Sequence, residues 1–128
     1  MLREMLRAKV HRATVTETNV HYEGSLTLDA SVMQAAGMIP YERVDVYNAT
    51  TGSRFSTYLI TGPAGSGTVC VNGAAAHLAN PGDRIIIASY AALDASEVRS
   101  HRPAVVLVDS ANRVLEVRRE IVAGTEVP

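Results

Sequence analysis

Short alternating runs separated by turn-forming clusters predict a mainly β protein: a small closed β-barrel carrying two short helices. Six or more segments alternate apolar with polar or β-branched residues, the period of a strand. Compact turn signals separate them, among them Thr50-Thr51-Gly52-Ser53 and Asn80-Pro81-Gly82-Asp83. Only two segments carry helix-capping signals. A barrel is preferred to a sandwich because closure leaves no strand edge exposed. At 128 residues and 47% hydrophobic content, the chain fits one domain over residues 1–128 with a sizeable core.

Taken in order, residues 8–17 alternate, with Val10, Thr14, Val15 and Thr16 favouring a strand that leads toward Gly24. A short apolar run follows at Leu26-Thr27-Leu28. Asp29 is a good helix N-cap, residues 31–36 a helical stretch of under three turns, and Gly37 is placed to end it. After Pro40, residues 44–48 alternate as a strand whose hairpin partner is 54–61 across the turn at 50–53. In that partner Arg54, Ser56 and Tyr58 share one face while Phe55 and Thr57 share the other. Thr57 can therefore join a site with Tyr58 only through a bend or bulge.

Residues 62–68 have the outline of a phosphate loop but lack its lysine, contain Pro63 and run into a strand, which makes them a surface turn. The strand 68–71 ends in Asn72-Gly73-Ala74-Ala75-Ala76, where small side chains leave the backbone N–H groups open to a ligand. Residues 84–90 read as a core strand. Asp94 with Glu97 forms a capping box for a short helix through His101 that Pro103 ends. Residues 105–108 and 114–117 are further strands around a turn at 110–112, and residues after about Glu120 read as a loose tail.

Composition excludes several functions. Twelve basic residues stand against thirteen acidic ones, with no basic run or aromatic ladder of the kind nucleic acid requires. No apolar run approaches the ~20 residues of a membrane span, and residues 1–4 open into a patterned segment rather than a signal peptide. A cytoplasmic protein without membrane or nucleic-acid partners is expected. Cys70, the only cysteine, lies in the apolar run Val69-Cys70-Val71 and reads as a buried small side chain without a catalytic role. Eleven of the twelve basic residues are arginine and Lys9 is the sole lysine. That pattern reflects either an arginine bias or a position that wants a compact ammonium rather than a planar fork.

The chemistry centres on His21-Tyr22-Glu23-Gly24-Ser25. A glycine before a serine permits strained backbone and lets the hydroxyl approach the preceding carbonyl carbon. Attack there converts the Gly24–Ser25 amide into a weaker ester. A Gly-Ser pair alone is ordinary turn material. Here it stands with residues 9–16, with Arg54-Phe55-Ser56-Thr57-Tyr58 and with Asn72-Gly73-Ala74-Ala75-Ala76-His77. In their order and spacing these blocks resemble the pyruvoyl-dependent aspartate 1-decarboxylase family, from Met1 to about Asp109.

That resemblance implies a double-psi β-barrel assembled as a homotetramer with active sites between subunits. It implies a self-inflicted cut into 1–24 and 25–128, aided or not by an accessory maturation protein, with Ser25 converted through an ester and dehydroalanine to a covalent pyruvoyl group. The pyruvoyl replaces pyridoxal phosphate as the electron sink for decarboxylating L-aspartate to β-alanine, which supplies pantothenate and coenzyme A. Thr57 is implied as the oxyanion donor of the cut, where strain at Gly24 would add to it, and Tyr58 as the proton donor of turnover. Lys9 and Arg54 would hold the two carboxylates. The backbone of Gly73, Ala74 and Ala75 would hold the substrate or pyruvoyl oxygen, Asn72 would orient the processed end, and His11 and Tyr22 would line the pocket.

Other chemistries fit less well. Ser25 lacks a Gly-x-Ser-x-Gly elbow, and no histidine has a spacing that marks it as a base. HxH and HExxH patterns are absent, so no metal is expected. Lys9 as a pyridoxal phosphate lysine lacks a phosphate cup. The remaining rival is a non-enzymatic barrel that binds a ligand or partner with the Gly24-Ser25 turn intact.

Overall fold

The computed structural model describes residues 1–126, so the last two residues of the expected domain and tail lie outside the described residues. Its elements are β1 (Arg3–Thr14), β2 (Glu17–Asn19), β3 (Ser25–Asp29), α1 (Ala30–Ala36), β4 (Arg43–Asn48), β5 (Arg54–Gly62), β6 (Val69–Asn72), a 3-10 helix (Gly73–Leu78), β7 (Arg84–Leu93), α2 (Ala95–Ser100), β8 (Ala104–Val108) and β9 (Val114–Arg118). The mainly β class is as the alternation predicts.

All nine strands join one ladder in the order β2-β6-β3-β5-β4-β7-β1-β8-β9. The pairs β1·β8, β2·β6 and β3·β5 are parallel and the rest antiparallel. Alternation decides which face turns inward. Val10 stands opposite Ile87 and Val106, Ile87 opposite Val46, and Leu26 opposite Leu59 and Val71. These residues form one contiguous buried cluster, which strands from both ends of the ladder can share only if the sheet curls around it. Among the described residues the curl is not sealed by a ladder between the outermost strands β2 and β9.

The expected strand over 8–17 is corrected at both ends. β1 starts at Arg3 and stops at Thr14, because the next backbone groups bond elsewhere. The Val15 N–H donates to the Asp83 carbonyl and the Thr16 N–H to that of Val69. β1 also shifts register between Val10 and Ala13, where Arg12 takes the left-handed φ of 58°. A bulge with a non-glycine residue in that region is costly and persists only where its surroundings hold it.

The helix signals were sound. The Asp29 carboxylate accepts from the Ser31 N–H at 2.8 Å, and Gly37 closes α1 at φ 67°. Asp94 and Glu97 form the capping box of α2. Asp29 does more than cap, since it also accepts from the N–H groups of Gly65 at 3.0 Å and Gly67 at 2.8 Å and pins the 63–68 turn to the core. Burial alone would raise its carboxyl, but the N–H donors of Gly67, Ser31 and Gly65 outweigh that and hold it below the usual carboxylate range. Among the described residues beyond Arg118 there is no regular element apart from a turn around 122–125.

Candidate active site

Ser25 is the first residue of β3 and is fully buried. Its cross-strand partner on β6 is Asn72, 3% exposed. The loop 20–24 leaves β2 and returns into β3, and β2 also pairs with β6, Asn19 opposite Asn72. Asn72 thus lies between the two arms of that loop. The Ser25 hydroxyl donates to the Glu23 carbonyl at 3.0 Å and accepts from Asn72 Nδ2 at 3.0 Å. The same Nδ2 donates to Thr27 Oγ1 at 3.0 Å, and Cys70 Sγ donates to Asn72 Oδ1 at 3.1 Å. Both partners share a sheet face with the residues they support, because Thr27 lies two beyond Ser25 and Cys70 two before Asn72. Sequence reading gave neither a role, and that spacing was the signal that could have found them.

Gly73 opens the 3-10 helix at φ 72°. A Cβ there would stand 2.5 Å from Gly24 Cα, 2.7 Å from Gly24 N and 3.3 Å from the Tyr22 carbonyl oxygen. Position 73 is therefore glycine for two reasons: its φ, and a backbone packed against the Gly24 nitrogen and Cα, on the residue just ahead of Ser25. Gly24 differs. Its φ is not positive, and a Cβ on it would meet nothing within 4 Å. The strain expected at Gly24 is thus not found in its φ; the conformational demand sits across the contact, at Gly73.

The open backbone expected over 72–76 is a 3-10 helix. At its N-cap the Asn72 side chain makes no capping bond, being committed to Ser25, Thr27 and Cys70. The first N–H groups of such a helix have no partner within it; in a 3-10 turn that begins at the Asn72 carbonyl these are the groups of Gly73 and Ala74, the Ala75 N–H closing the first turn. Ala74 is exposed and Ala75 half-buried.

β5 flanks β3 on its other side. The parallel ladder begins with Leu26 opposite Leu59, so Thr57 and Tyr58 precede it on β5 as Gly24 and Ser25 precede it on the chain entering β3. The β4·β5 register runs without a shift from Arg43 opposite Tyr58 to Tyr47 opposite Arg54. No bulge intervenes. Thr57 stays on the inner face with its partner Val44 and Tyr58 on the outer face with its partner Arg43, so the bend or bulge that would turn Thr57 to the face of Tyr58 is not found. Arg54, also outward, stacks on the Tyr47 ring at 4.7 Å. The Tyr47 and Tyr90 hydroxyls lie 2.9 Å apart. That hydrogen bond first, then burial, pushes the Tyr47 phenol up to about 12.

Lys9 shares this outer face. It stands opposite Ala88 and Val105, with Ala88 opposite Asp45 and Asp45 opposite Ser56. From Ser25 on β3 to Lys9 on β1 the order β3-β5-β4-β7-β1 counts four inter-strand steps, or about 19 Å around the sheet at ~4.8 Å a step. Lys9 and His11 instead line a cavity of about 740 Å³ with Arg12, Val105, Leu107 and residues 118–122, 125 and 126. Neither Ser25, Arg54 nor Tyr58 is among its lining residues. Burial, then the Lys9 and Arg12 charges, hold the His11 imidazole below its usual range. Its Nδ1 is buried without a hydrogen-bond partner among the described residues. Tyr22 is 54% exposed on the loop ahead of Gly24. One chain therefore brings together Gly24, Ser25, Asn72 and Gly73, sets Thr57 and Tyr58 on opposite faces of the neighbouring strand β5, and carries Lys9 and His11 on β1, four strand steps away. Among the described residues no group of three or more His, Cys, Asp or Glu is gathered as a metal site, and no helix is long and apolar enough to cross a membrane.

The sequence matches the family model described as aspartate decarboxylase over residues 1–115. It is 56% identical over 119 residues to the aspartate 1-decarboxylase of Pelotomaculum thermopropionicum, covering 93% of this chain and 90% of the relative. To that of Syntrophobacter fumaroxidans it is 57% identical over 115 residues, covering 90% and 93%. Against that of Heliobacterium modesticaldum identity is 47% over 128 residues, covering 100% and 97%. The family match over residues 1–115 includes the loop 20–24, β5 and the Asn72-Gly73 turn together, and the chain belongs to the aspartate decarboxylase family.

Proposed function

We propose that the chain cuts itself between Gly24 and Ser25, converts Ser25 to a pyruvoyl group and decarboxylates L-aspartate to β-alanine and carbon dioxide. The observation that carries this is the buried Ser25 hydroxyl, held by Glu23 and Asn72 next to a residue, Gly24, whose nitrogen and Cα pack against Gly73. A solvent-facing turn serine would need none of this enclosure. The site fits the prosthetic group: Ser25 begins a strand opposite Asn72, and the helix that starts at Gly73, with Ala74 and Ala75 in its first turn, follows directly from that partner. Once formed, the group supplies a conjugated carbonyl that accepts the electrons released with carbon dioxide.

The chain's residues divide the remaining work. Thr57 donates to the Gly24 carbonyl oxygen as charge builds on it and its carbon becomes tetrahedral; one such donor is worth roughly 3–4 kcal/mol. Tyr58, on the face that carries Ser25, returns the proton to the product carbon. Arg54 grips one carboxylate with its planar fork and Lys9 offers a point charge to the other, while His11 and Tyr22 line the pocket. The distance of about 19 Å around the sheet far exceeds the length of a four-carbon dicarboxylate. Lys9 therefore serves a Ser25 site of another copy, which supports a homotetramer with sites between subunits. We read the enzyme as cytoplasmic, with maturation either spontaneous or assisted by an accessory protein.

Intact mass tests the proposal. The parent yields two chains, the larger lighter by one ammonia than plain hydrolysis gives, whereas Ser25→Ala stays a single inactive chain. Two fragments from Ser25→Ala would refute the assignment. A binding module with an intact turn stays at 13.7 kDa in both.

A further inference from the structure

We infer that Cys70 is a positioning residue for self-cleavage: its thiol fixes which end of the Asn72 amide faces the Ser25 oxygen. This rests on the proposed cut. The hydrogen bonds run in one direction. The Ser25 proton goes to the Glu23 carbonyl at 3.0 Å, so toward Asn72 the Ser25 oxygen can only accept, and Nδ2 must face it. The amide's other end, Oδ1, then faces the Cys70 thiol at 3.1 Å, which donates. Thr27 Oγ1 at 3.0 Å accepts from the same Nδ2 and reinforces that sense. Cys70 is 6% exposed. Burial, then the charge of the Glu17 carboxylate across β2 and β6 and its hydrogen bond with the thiol, push Cys70 up to about 11, so the sulfur keeps its proton, with Asn72 Oδ1 at 3.1 Å as its acceptor by distance.

The orientation matters most after the first step. In the acyl shift the Ser25 O–H and the Gly24–Ser25 C–N bonds break, while a Gly24 C–Oγ and a Ser25 N–H bond form. In the elimination, water takes the Ser25 Cα proton and the Cβ–Oγ bond breaks. The pair stays on Oγ, Gly24 leaves as a carboxylate, and residue 25 becomes dehydroalanine. A second water then releases ammonia and leaves the ketone. Negative charge grows on Oγ as it departs, where a donor at 3.0 Å stabilises it. An amide turned the other way presents an oxygen to that charge. Cys70 thus acts on the elimination through Asn72.

The test follows the intact mass of freshly purified full-length protein over time, with and without hydroxylamine, which splits the ester to give a fragment starting in unmodified serine. Cys70→Ala should cut roughly five-fold more slowly, the effect of one neutral hydrogen bond, and should accumulate the hydroxylamine-labile ester. Cys70→Ser, which keeps a donor, should match the parent. In an Asn72→Ala background, Cys70→Ala should add nothing. If Cys70→Ala fails to fold, Cys70→Val fills the site without a donor and carries the same expectation. Cutting at the parent rate by the donor-less variant, a defect equal in Cys70→Ser, or further slowing in the Asn72→Ala background each overturns the inference. A parent that never cuts overturns the proposed function itself, with this inference as a consequence.

Discussion

Adding one methyl group at Gly73 and the same group at Gly24 should have opposite effects, although the two residues touch. At Gly73 the new carbon would lie 2.5 Å from Gly24 Cα and 2.7 Å from its nitrogen, where ordinary contact begins at 3.4 Å. The overlap is with backbone on both sides and no flexible tip can swing clear. Alanine at φ 72° adds about 1–2 kcal/mol of its own. With relief of the overlap by a shifted loop, the total cost is about 3 kcal/mol, or roughly 10 °C in melting temperature for a domain of this size. The shift also carries the Gly24 carbonyl away from Ser25 Oγ and Thr57, so cutting should slow by at least ~10-fold, since near-attack geometry tolerates little displacement. At Gly24 the new carbon meets nothing within 4 Å and φ is not positive. Gly24→Ala should melt at or slightly above the parent temperature. Differential scanning calorimetry and intact-mass time courses on the two variants measure both effects. Gly73→Ala with parental melting and cutting, or Gly24→Ala as unstable as Gly73→Ala, would refute the packing argument.

Three further outcomes are expected. Tyr58→Phe should process normally and lose at least ~10² in kcat; an unchanged kcat removes Tyr58 from turnover. Lys9→Ala and Arg54→Ala proteins, each nearly inactive, should regain part of the parental activity when unfolded together and refolded before cutting, whereas no recovery would mean that one chain supplies both cations. Asp29, with its carboxyl held low in the fold, contributes stability that is present above the unfolded value of ~3.9 and is lost as pH falls through the lower folded value. Asp29→Asn should melt lower than the parent at pH 7, and the gap should narrow on acidification; a gap constant with pH would remove the charge from the argument.

Local signals were legible where chemistry is local. Asp29, Gly37, the Asp94–Glu97 box and the hairpin across 50–53 each act within a few residues, and the structure uses each as read. What the sequence hid lies in pairings between distant segments. β2, with the sequence Glu-Thr-Asn, has no apolar pattern and exists because β6 offers it a ladder. The turn of chain over 73–78 reads as open because alanine suits a helix as well as an exposed backbone. Of the candidate site, the cut-site loop, Thr57 and Tyr58 could be named from their motifs. The Cys70–Asn72–Ser25 relay and the separation of Lys9 from Ser25 depend on sheet order, which no period of two reports. Buried Asn112 is another such case: at φ 62° it donates to the Thr14 and Gly67 carbonyls and accepts from the Thr14 N–H.

β1 lies in the interior of the sheet, bonded to β7 on one side and β8 on the other, and β2 is bonded to β6. A break before Ser25 therefore leaves the short piece threaded through the long one by two strands, with nothing to pull it out short of global unfolding. Once denatured, the pair would have to find each other by diffusion, and the long piece would lack a central strand while it waited. A molecule so cut would be durable yet not self-renewing. A cell that loses it to heat must translate the uncut chain again.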